Sequence, residues 1–526
     1  MKKLVMFLFV IVSLVLITAC TEGTSGGEGG SNDNSSSDSN NDNSNGDSGK
    51  DSIVIGFEAD ATTMLGSWDV NYINQAQIRN IFDSVIDRDP STGELIPALA
   101  ESWEHIDELT WRIKLREGVK YHNGKDFTAE DVKWNIDFIL DEDNGSFYRS
   151  RWVNVEEVTV ISPTEVEIKT SVPFPTLLNY VAGDLVIMEP EHVEEVGLDE
   201  AAKNPVGTGP YKFVEWSRDN YLKLEAYDEY WQGEPEIKNL EFRYIPEFSA
   251  RLSAFLSGEI DLFKNIPVDA LQELEQSDNS EIGEVASSRI NYLALNALAE
   301  DSPIQDQKVR QAINYAVDVD ELLNSILNGY GTKMTGPLSI INQDYTETED
   351  YGYDPDKAVE LLEEAGYNPE ELELTLDTPS GRYPMDSHIA QGIAAQLQRI
   401  GIEVSVQINE WGSHLEKIQN RQMGDMFILG WGPAYEAQST IENLFTKDAP
   451  YSSFYDPQIE EEIKAANQIF DPEPRLDAFA ELQHKLVEQG AWVPLWQQAD
   501  LYAVRSDLNF EPRVDEYFQV FDMSWK

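Results

Sequence analysis

The chain has very little cysteine and little positive charge. Cys20 is the only cysteine in 526 residues, so no disulfide can form within the chain and the fold must depend on its core. Lys and Arg number 38 against 96 Asp and Glu, which gives a formal net charge of −58. This excess repels phosphate groups, so it excludes a nucleic-acid binder of the usual kind and disfavours docking on anionic lipid. We interpret the acidity as a solvation adaptation to a saline or alkaline medium.

Sequence signatures of catalysis and of metal binding are also missing. The six histidines show no His-Glu-x-x-His spacing, and no Gly-x-Ser-x-Gly motif occurs in the predicted folded body at 52–526. The glycine-rich string GTGPYK at 207–212 lacks the Gly-Lys-Ser/Thr ending of a phosphate-binding loop. Acids are so numerous that any two could be proposed as a glycosidase pair, so that signal has no weight. The sequence therefore predicts no enzyme, no catalytic residue, no metal site and no cofactor.

The N-terminus has the pattern of a bacterial lipoprotein signal. Two lysines precede an apolar run of 14 residues at 4–17, and the string ITAC at 17–20 places small residues before Cys20. The run has the length of a signal peptide and is shorter than the roughly 20 residues of a membrane-spanning helix. We predict removal of residues 1–19, lipid on Cys20, and an extracytoplasmic protein anchored to the cell membrane. A plain secretory signal and an uncleaved anchor are the alternatives.

Residues 20–51 are predicted to form a disordered linker. Positions 21–50 hold no aliphatic or aromatic side chain, so nothing there can offset the entropy of ordering the chain. The folded body is predicted to begin at Ser52, and its length allows two or three domains with large cores.

The body shows the pattern of an α/β protein. Alternating or apolar strand-like segments are followed by helices that begin at Thr128, Asp306 and Asp354 and end at glycines such as Gly366 and Gly401. Residues 460–489 are predicted to be helical, and 291–296 and 492–495 extended. Alternation of helix and strand after residue 248 favours largely parallel sheets covered on both faces.

Several strings, in order along the body, resemble the extracytoplasmic solute-binding proteins, family 5, of ABC importers, which include oligopeptide-, dipeptide- and nickel-binding proteins. They are FDSV at 82–85 with GELIPALAESW at 93–103, LREGVKYHNG at 115–124, PVGTGPY at 205–211, GEIDL at 258–262 and VRQAINYAVD at 309–318.

The resemblance implies a two-lobe periplasmic-binding-protein-like fold with a hinge. Lobe I would cover 52–284, with an extra subdomain at about 92–203, and lobe II would cover 285–490. Residues 491–526 would return to lobe I. A monomer would hold its ligand in the cleft between the lobes and deliver it to a membrane permease.

The resemblance also suggests ligand-binding residues. In dipeptide-binding relatives, an arginine in a loop before a lobe II helix meets the ligand's carboxylate, and SGRYP at 380–384 matches it, so Arg382 is the candidate. A planar guanidinium can pair with a carboxylate through two hydrogen bonds. The alternative is an arginine paired with one of the many surface acids.

The string GWGPAYE at 430–436 departs from the dipeptide-binding pattern. Those relatives place an Asp shortly after the Gly-Trp pair, where it meets the free amine of the peptide, but Ala434 stands here. Either Glu436 replaces that Asp, or the ligand has no α-amine in that place. Trp431, Gly432 and Tyr435 remain candidates for the cleft, because a loop after a strand presents its side chains to ligands.

Further candidates are mostly aromatic, and each could instead be a core residue: Trp411, Trp496, Tyr455, Trp68 and Met64. The sequence predicts capture of a peptide-like solute. An oligosaccharide, an opine-like compound or a nickel chelate are alternatives within the same role, and a surface-anchored hydrolase is an alternative of another class.

Overall fold

The computed structural model describes residues 50–68, 72–432 and 435–526. The predicted signal peptide at 1–19, the lipidation site Cys20, nearly all of the predicted linker and Ala434 lie outside the described residues. Lys50 and Asp51, at the end of that linker, contact lobe I. The carbonyl oxygen of Asp51 accepts hydrogen bonds from the amides of Lys238 (2.7 Å) and Asn239 (3.0 Å), and Lys50 Nζ lies 3.0 Å from Asp507 Oδ2.

Strands and helices alternate through the described chain. The strands are β1 (Ser52–Phe57), β2 (Ile86–Arg88), β3 (Leu95–Pro97), β4 (Ala100–Asp107), β5 (Thr110–Leu115), β6 (Val155–Ser162), β7 (Glu165–Thr170), β8 (Tyr211–Ser217), β9 (Tyr221–Ala226), β10 (Asn239–Tyr244), β11 (Leu262–Lys264), β12 (Ser280–Leu295), β13 (Thr332–Lys333), β14 (Glu373–Pro379), β15 (Glu403–Asn409), β16 (Met426–Trp431), β17 (Trp492–Arg505), β18 (Leu508–Asn509) and β19 (Ser524–Trp525).

The helices are α1 (Tyr72–Ile78), α2 (Ala129–Leu140), α3 (Arg149–Trp152), α4 (Leu177–Gly183), α5 (Pro190–Val196), α6 (Leu198–Ala201), α7 (Phe248–Ser257), α8 (Leu271–Glu275), α9 (Gln307–Ala316), α10 (Val319–Ile326), α11 (Pro355–Glu364), α12 (Asp386–Arg399), α13 (Trp411–Gln419), α14 (Ala437–Phe445), α15 (Pro457–Ala466) and α16 (Pro472–Glu488). In the described part of the chain, none of them has the length and apolar content needed to cross a bilayer.

One mixed sheet runs through the molecule in the order β15-β14-β16-β12-β17-β11-β1-β10-β9-β8, with β13 paired to β17. Its centre is the antiparallel pair β12 and β17. Residues 280–286 pair with 499–505, and 290–294 pair with 492–497, with a shift of register between Ala286 and Ile290. We use lobe I for the part on the β8 side of this break and lobe II for the part on the β15 side, and we call the break the hinge.

Lobe I carries a separate antiparallel sheet in the order β4-β5-β7-β6. This sheet, with α2 and α4, surrounds its own apolar core, which includes Ile113, Ile136, Trp152 and Val181. It lies within the range 92–203 that the sequence analysis predicts for a subdomain, and that assignment stays a prediction. The exact residue limits of the lobes given there stay predictions.

Lobe II is covered on both faces of its sheet. Leu293 and Leu295 of β12 contact the core beneath α9–α12, whereas Tyr292 and Ala294 contact the core beneath α13–α16. This follows from the strand period of two, which sends successive side chains to opposite faces.

Local signals in the sequence are confirmed where capping chemistry is strong. Thr128 and Asp131 form the capping box of α2, and Asp306 and Asp354 cap α9 and α11. Two predictions are wrong. The single helix expected over 460–489 is divided into α15 and α16, because Asp471 and Pro472 begin a new helix. The expectation of largely parallel sheets is also wrong at the centre of the sheet, where β12 pairs antiparallel with β16 and β17. At the edge of lobe II, β14 is parallel to β15 and β16.

Candidate ligand-binding cleft

The loop between β14 and α12 is held by one carboxylate. Asp386 accepts hydrogen bonds from the backbone amides of Gly381 (3.2 Å), Arg382 (2.9 Å) and Tyr383 (3.2 Å). The Asp386 side chain is buried, so these bonds are sheltered from water. The loop therefore presents Arg382 from a fixed backbone at the carboxyl end of a parallel strand, where α/β folds bind ligands. The sequence analysis missed Asp386, although an acid at the first residue of a helix after a glycine turn is a recognisable signal.

The side chain of Arg382 is exposed and lies between two aromatic rings. Its Cζ is 5.2 Å from the ring centroid of Tyr383 and 5.2 Å from that of Trp411. The two rings are edge to face, with centroids 6.1 Å apart. The surrounding protein, and then the positive charge of Arg289, lower the pKa of Arg382. An anion beside the guanidinium would offset both effects.

Arg382 is unlike the other arginines of the described residues. Each of those has a carboxylate within 4.0 Å or donates a side-chain hydrogen bond. Among the described residues, the Arg382 guanidinium has ring contacts and neither kind of polar partner. In a chain with 96 acids, a guanidinium left open in this way is unexpected.

A buried charged cluster lies next to Arg382 at the hinge. Lys264 Nζ contacts Glu516 and is 3.2 Å from Asp500 Oδ2, and Arg289 Nη2 is 3.3 Å from Glu516 Oε1. Burial alone would raise the pKa of Glu516, but the charges of Lys264 and Arg289 lower it to about 2. Burial, and then the charge of Glu516, raise the pKa of Asp500. This cluster joins β11 and β17 to the hinge residue Arg289 and to residues 506–526, which we call the C-terminal segment. The sequence analysis did not identify it.

Glu58 and Asn265 follow the adjacent parallel strands β1 and β11 directly, at the carboxyl edge of lobe I. Asn265 Nδ2 donates to Glu58 Oε1 at 2.9 Å, and Asn265 has a φ of 64°. The charge of Glu58 acts on the pKa of Arg382 from this side, in the sense opposite to Arg289. The edge of lobe I is therefore acidic where it faces the open guanidinium.

Gly432, within the string at 430–436, lies against the hinge. A Cβ placed on Gly432 would be 2.8 Å from the Cα of Arg289, so only glycine allows this close approach. Trp431 contacts Tyr451 edge to face at 5.4 Å. The ring of Tyr435 lies 4.2 Å from Cζ of Arg88 in lobe I.

Glu436 has a local structural partner. Its buried carboxylate accepts from the amide of Ser439 at the start of α14 and is 3.9 Å from Arg475 Nη2. Burial raises its pKa. A role for Glu436 in binding an amine stays a prediction.

The remaining candidates are spread over the fold. Met64 and Trp496 are buried in the cores of lobe I and lobe II. Trp68 donates its indole N–H to the carbonyl of Asn144 at 2.8 Å, and Tyr455 lies 5.8 Å from Lys447 Nζ. Of the predicted residues, the structure therefore places Trp411 beside Arg382 and adds Tyr383, Arg289 and Glu516 to the same region. The role of each in ligand binding stays a prediction.

The described residues contain no group of three or more His, Cys, Asp or Glu side chains arranged to hold a metal ion.

Comparison with known proteins gives the family. The sequence model described as "Bacterial extracellular solute-binding proteins, family 5 Middle" matches residues 94–453. The chain belongs to this family. It is therefore an extracytoplasmic solute-binding protein and not an enzyme.

Curated relatives of the solute-binding protein include the glutathione-binding protein GsiB of Salmonella paratyphi A. The two are 28% identical over 463 residues, which cover 84% of this chain and 88% of GsiB. The match extends through both lobes.

Solved structures show the same fold. One is DppA from Helicobacter pylori in complex with the peptide STSA, with a TM-score of 0.77 at 24% identity over 91% of this chain and 98% of DppA. Another is NikZ from Campylobacter jejuni in complex with Ni(L-His), with a TM-score of 0.78 at 24% identity over 90% and 99% of the two chains. The solute-binding protein thus has the two-lobe fold that the sequence analysis expects.

Proposed function

We propose that this solute-binding protein captures a peptide-like solute that carries a carboxylate and delivers it to the permease of an ABC importer. The carboxylate binds Arg382 in the cleft between the lobes, and closure of the lobes completes the site. The observation that carries this proposal is the open guanidinium of Arg382 in a strongly acidic chain.

The surroundings of Arg382 suit a planar anion. Its two ring neighbours, Tyr383 and Trp411, restrict the guanidinium by cation–π contact. The edges of a guanidinium carry its N–H groups in a fixed fork, which matches a carboxylate better than a neutral hydroxyl. A neutral oligosaccharide lacks this group. A peptide, an opine-like compound and a chelate of nickel with an amino acid can all supply it.

The names of the relatives agree with this chemistry. GsiB is named for glutathione, and the DppA structure holds a tetrapeptide. Both ligands are peptides with free carboxylates, so we place peptide-like solutes first. A nickel chelate remains the second candidate for the same guanidinium.

We also propose that Cys20 carries the lipid that anchors the protein to the membrane. The test is incorporation of labelled palmitate into the wild type and into Cys20→Ala. We expect label in the wild type and none in the variant, and equal label in the two proteins or none in the wild type would refute the lipid on Cys20.

Thermal unfolding of the full chain against a ligand panel tests the function. The panel contains dipeptides to nonapeptides, glutathione, oligosaccharides and nickel with histidine. A ligand at 100 times its dissociation constant stabilises the folded state by about 2.7 kcal/mol, which raises the midpoint by several degrees. We expect carboxylate-bearing peptides to raise it. A rise with oligosaccharides alone would refute the carboxylate assignment.

Arg382→Ala identifies the binding group. We expect affinity for the active peptides to fall about tenfold to a hundredfold, because a charged hydrogen-bond pair contributes about 1.5–3 kcal/mol. Arg399→Ala is the matched control. Arg399 ends the same helix, α12, and its exposed guanidinium is 2.7 Å from Glu321 Oε2. Equal losses in the two variants would contradict a specific role for Arg382.

A further inference from the structure

The two lobes touch directly on the side of the cleft that faces the subdomain. Tyr435 of lobe II lies with its ring 4.2 Å from Cζ of Arg88 in lobe I. Close by, Thr176 Oγ1 donates to Gln438 Oε1 of α14 at 2.8 Å. We call Arg88, Gly93 and Thr176, with Tyr435 and Gln438, the interlobe seal.

The lobe I side of the interlobe seal is rigid. The Arg88 guanidinium donates to the carbonyl of Gly93 at 2.9 Å and to Asn179 Oδ1 at 3.0 Å. Arg88 is 8% exposed, and Gly93 has a φ of 73°, which favours glycine in this turn. The surface that meets Tyr435 is therefore fixed by hydrogen bonds within lobe I.

The lobe II side is held as well. The carbonyl of Tyr435 accepts from the amide of Gln343 at 2.9 Å, and the next residue, Glu436, caps α14. The Tyr435 side chain is 8% exposed. Its ring position is thus fixed by the start of a helix and by a backbone hydrogen bond.

The space between these two surfaces is too narrow for a peptide. A Cβ placed on Gly93 would lie 2.6 Å from Cδ1 of the Tyr435 ring, so the ring rests on the backbone of Gly93. An extended chain needs about 4.7–4.9 Å between itself and each neighbouring backbone. A ligand cannot pass through the interlobe seal while Tyr435 contacts Gly93.

The interlobe seal belongs to the same cleft as Arg382. Glu516 contacts Arg289, whose charge acts on Arg382. The preceding residue, Asp515, acts on Tyr435, since burial and then the charge of Asp515 raise the pKa of Tyr435. The C-terminal segment therefore places Glu516 near Arg289 and Arg382, and its neighbour Asp515 near Tyr435 of the interlobe seal.

We infer that Tyr435 closes the subdomain end of the cleft and favours short peptides over long ones. This inference rests on the proposed function, because it takes the carboxylate to be bound at Arg382. Tyr435 acts by blocking the path of a longer peptide between the lobes. A side chain smaller than the ring would leave a gap against Gly93.

Affinity as a function of peptide length tests the inference. Calorimetric titration of the full chain with a series from dipeptide to nonapeptide gives the ratio of short-peptide to long-peptide affinity. We expect the wild type to prefer short peptides, and Tyr435→Ala to lower that ratio by about tenfold. Tyr435→Phe is the matched control, because it keeps the ring and should keep the ratio. Gln438→Ala, at the edge of the interlobe seal, should lower the ratio less.

The outcomes separate this inference from the proposed function. Peptide binding with one unchanged ratio in wild type and Tyr435→Ala would overturn the length preference and leave the proposed function intact. A wild type that binds nonapeptides as tightly as dipeptides would also overturn it. If neither protein bound any peptide, both the proposed function and this inference would be refuted.

A measurement without ligand tests the contact itself. Fluorophores on Glu94→Cys in lobe I and Asp448→Cys in lobe II report the separation of the lobes, and both native side chains are exposed. We expect Tyr435→Ala to lower energy transfer between them, and Tyr435→Phe to leave it unchanged. Equal transfer in all three proteins would show that Tyr435 does not hold the lobes together. Midpoints of thermal unfolding confirm that each variant is folded.

Discussion

Arg289 and Arg382 lie in the same cleft, and their charges act on each other, yet their surroundings are opposite. Arg289 is 6% exposed and is 3.3 Å from Glu516, whose other oxygen contacts Lys264. Arg382 is exposed, lies against two rings and has no acidic partner in the described residues. A buried charge must be paired for the fold to survive, whereas an exposed one can be kept open for a ligand. The comparison separates the charges that hold the cleft in shape from the charge that recognises the solute.

The largest effect should follow from breaking the paired side. Lys264→Met leaves Asp500 and Glu516 buried together without their shared cation, so we expect a loss of about 3–5 kcal/mol in the free energy of unfolding. Denaturant unfolding measures it. Lys308→Met is the control, because Lys308 is 46% exposed in its pair with Glu364 and should cost less than about 1 kcal/mol. Similar losses in the two variants would refute the structural role of the cluster.

The second largest effect should come from low pH, which should lower the contribution of the buried Glu516 to the free energy of unfolding. The pKa of Glu516 falls from 4.5 to about 2 in the folded protein, so its stabilisation is complete above pH 4.5 and is lost as pH falls towards 2. The shift corresponds to roughly 3 kcal/mol. Asp500 acts in the opposite sense, since its raised pKa favours the protonated folded state as pH falls.

Unfolding free energies of wild type and Glu516→Gln across this range isolate the effect. The variant should be less stable than the wild type above pH 4.5, and the difference should shrink as pH falls towards 2. A difference that stays constant with pH would contradict the assignment to Glu516.

Substitution of the open Arg382 should lower the affinity for ligand and leave the free energy of unfolding nearly unchanged. Arg382→Met should leave the free energy of unfolding within about 0.5 kcal/mol of the wild type, because no polar partner among the described residues is lost. The same variant should bind carboxylate-bearing peptides at least tenfold more weakly. Paired unfolding and calorimetric measurements on one preparation check both expectations. A large loss of stability would place Arg382 with the structural charges.

The smallest effect should come from the ring beside the open charge. Trp411→Leu removes one of the two aromatic neighbours of Arg382, and we expect affinity to fall by about 0.5–1 kcal/mol. Tyr455→Leu is the control in the same lobe, because its ring lies 5.8 Å from Lys447. Calorimetric titration with one peptide compares them. An equal loss in Tyr455→Leu would support the sequence-based assignment of Tyr455 to the cleft.

Prediction from sequence succeeded where a local rule decides the outcome. Helix caps such as Thr128 and Asp306 depend on a few neighbouring residues. The strings that resemble the family predicted the two-lobe fold, since each occurs in the order expected along the chain.

Prediction failed where distant segments decide the outcome. The sequence predicts an extended segment only at 291–296, but β12 begins at Ser280. The polar residues in the first part of β12 are stabilised by pairing with β17, more than 200 positions away. Lys264 and Glu516 are 252 positions apart, and no local pattern announces their contact. Tyr435 was assigned to the cleft from its string, but its contact with Arg88 depends on how the lobes meet.

The end of the chain completes the core of the part made first. Tyr502, Leu508, Phe518 and Val520 pack in the same apolar cluster as Ile53 and Phe57. During synthesis, lobe I must therefore wait for the last residues before its core can close, while lobe II already has most of its strands. A lobe I core that closes late suits a protein that works outside the compartment in which it is translated.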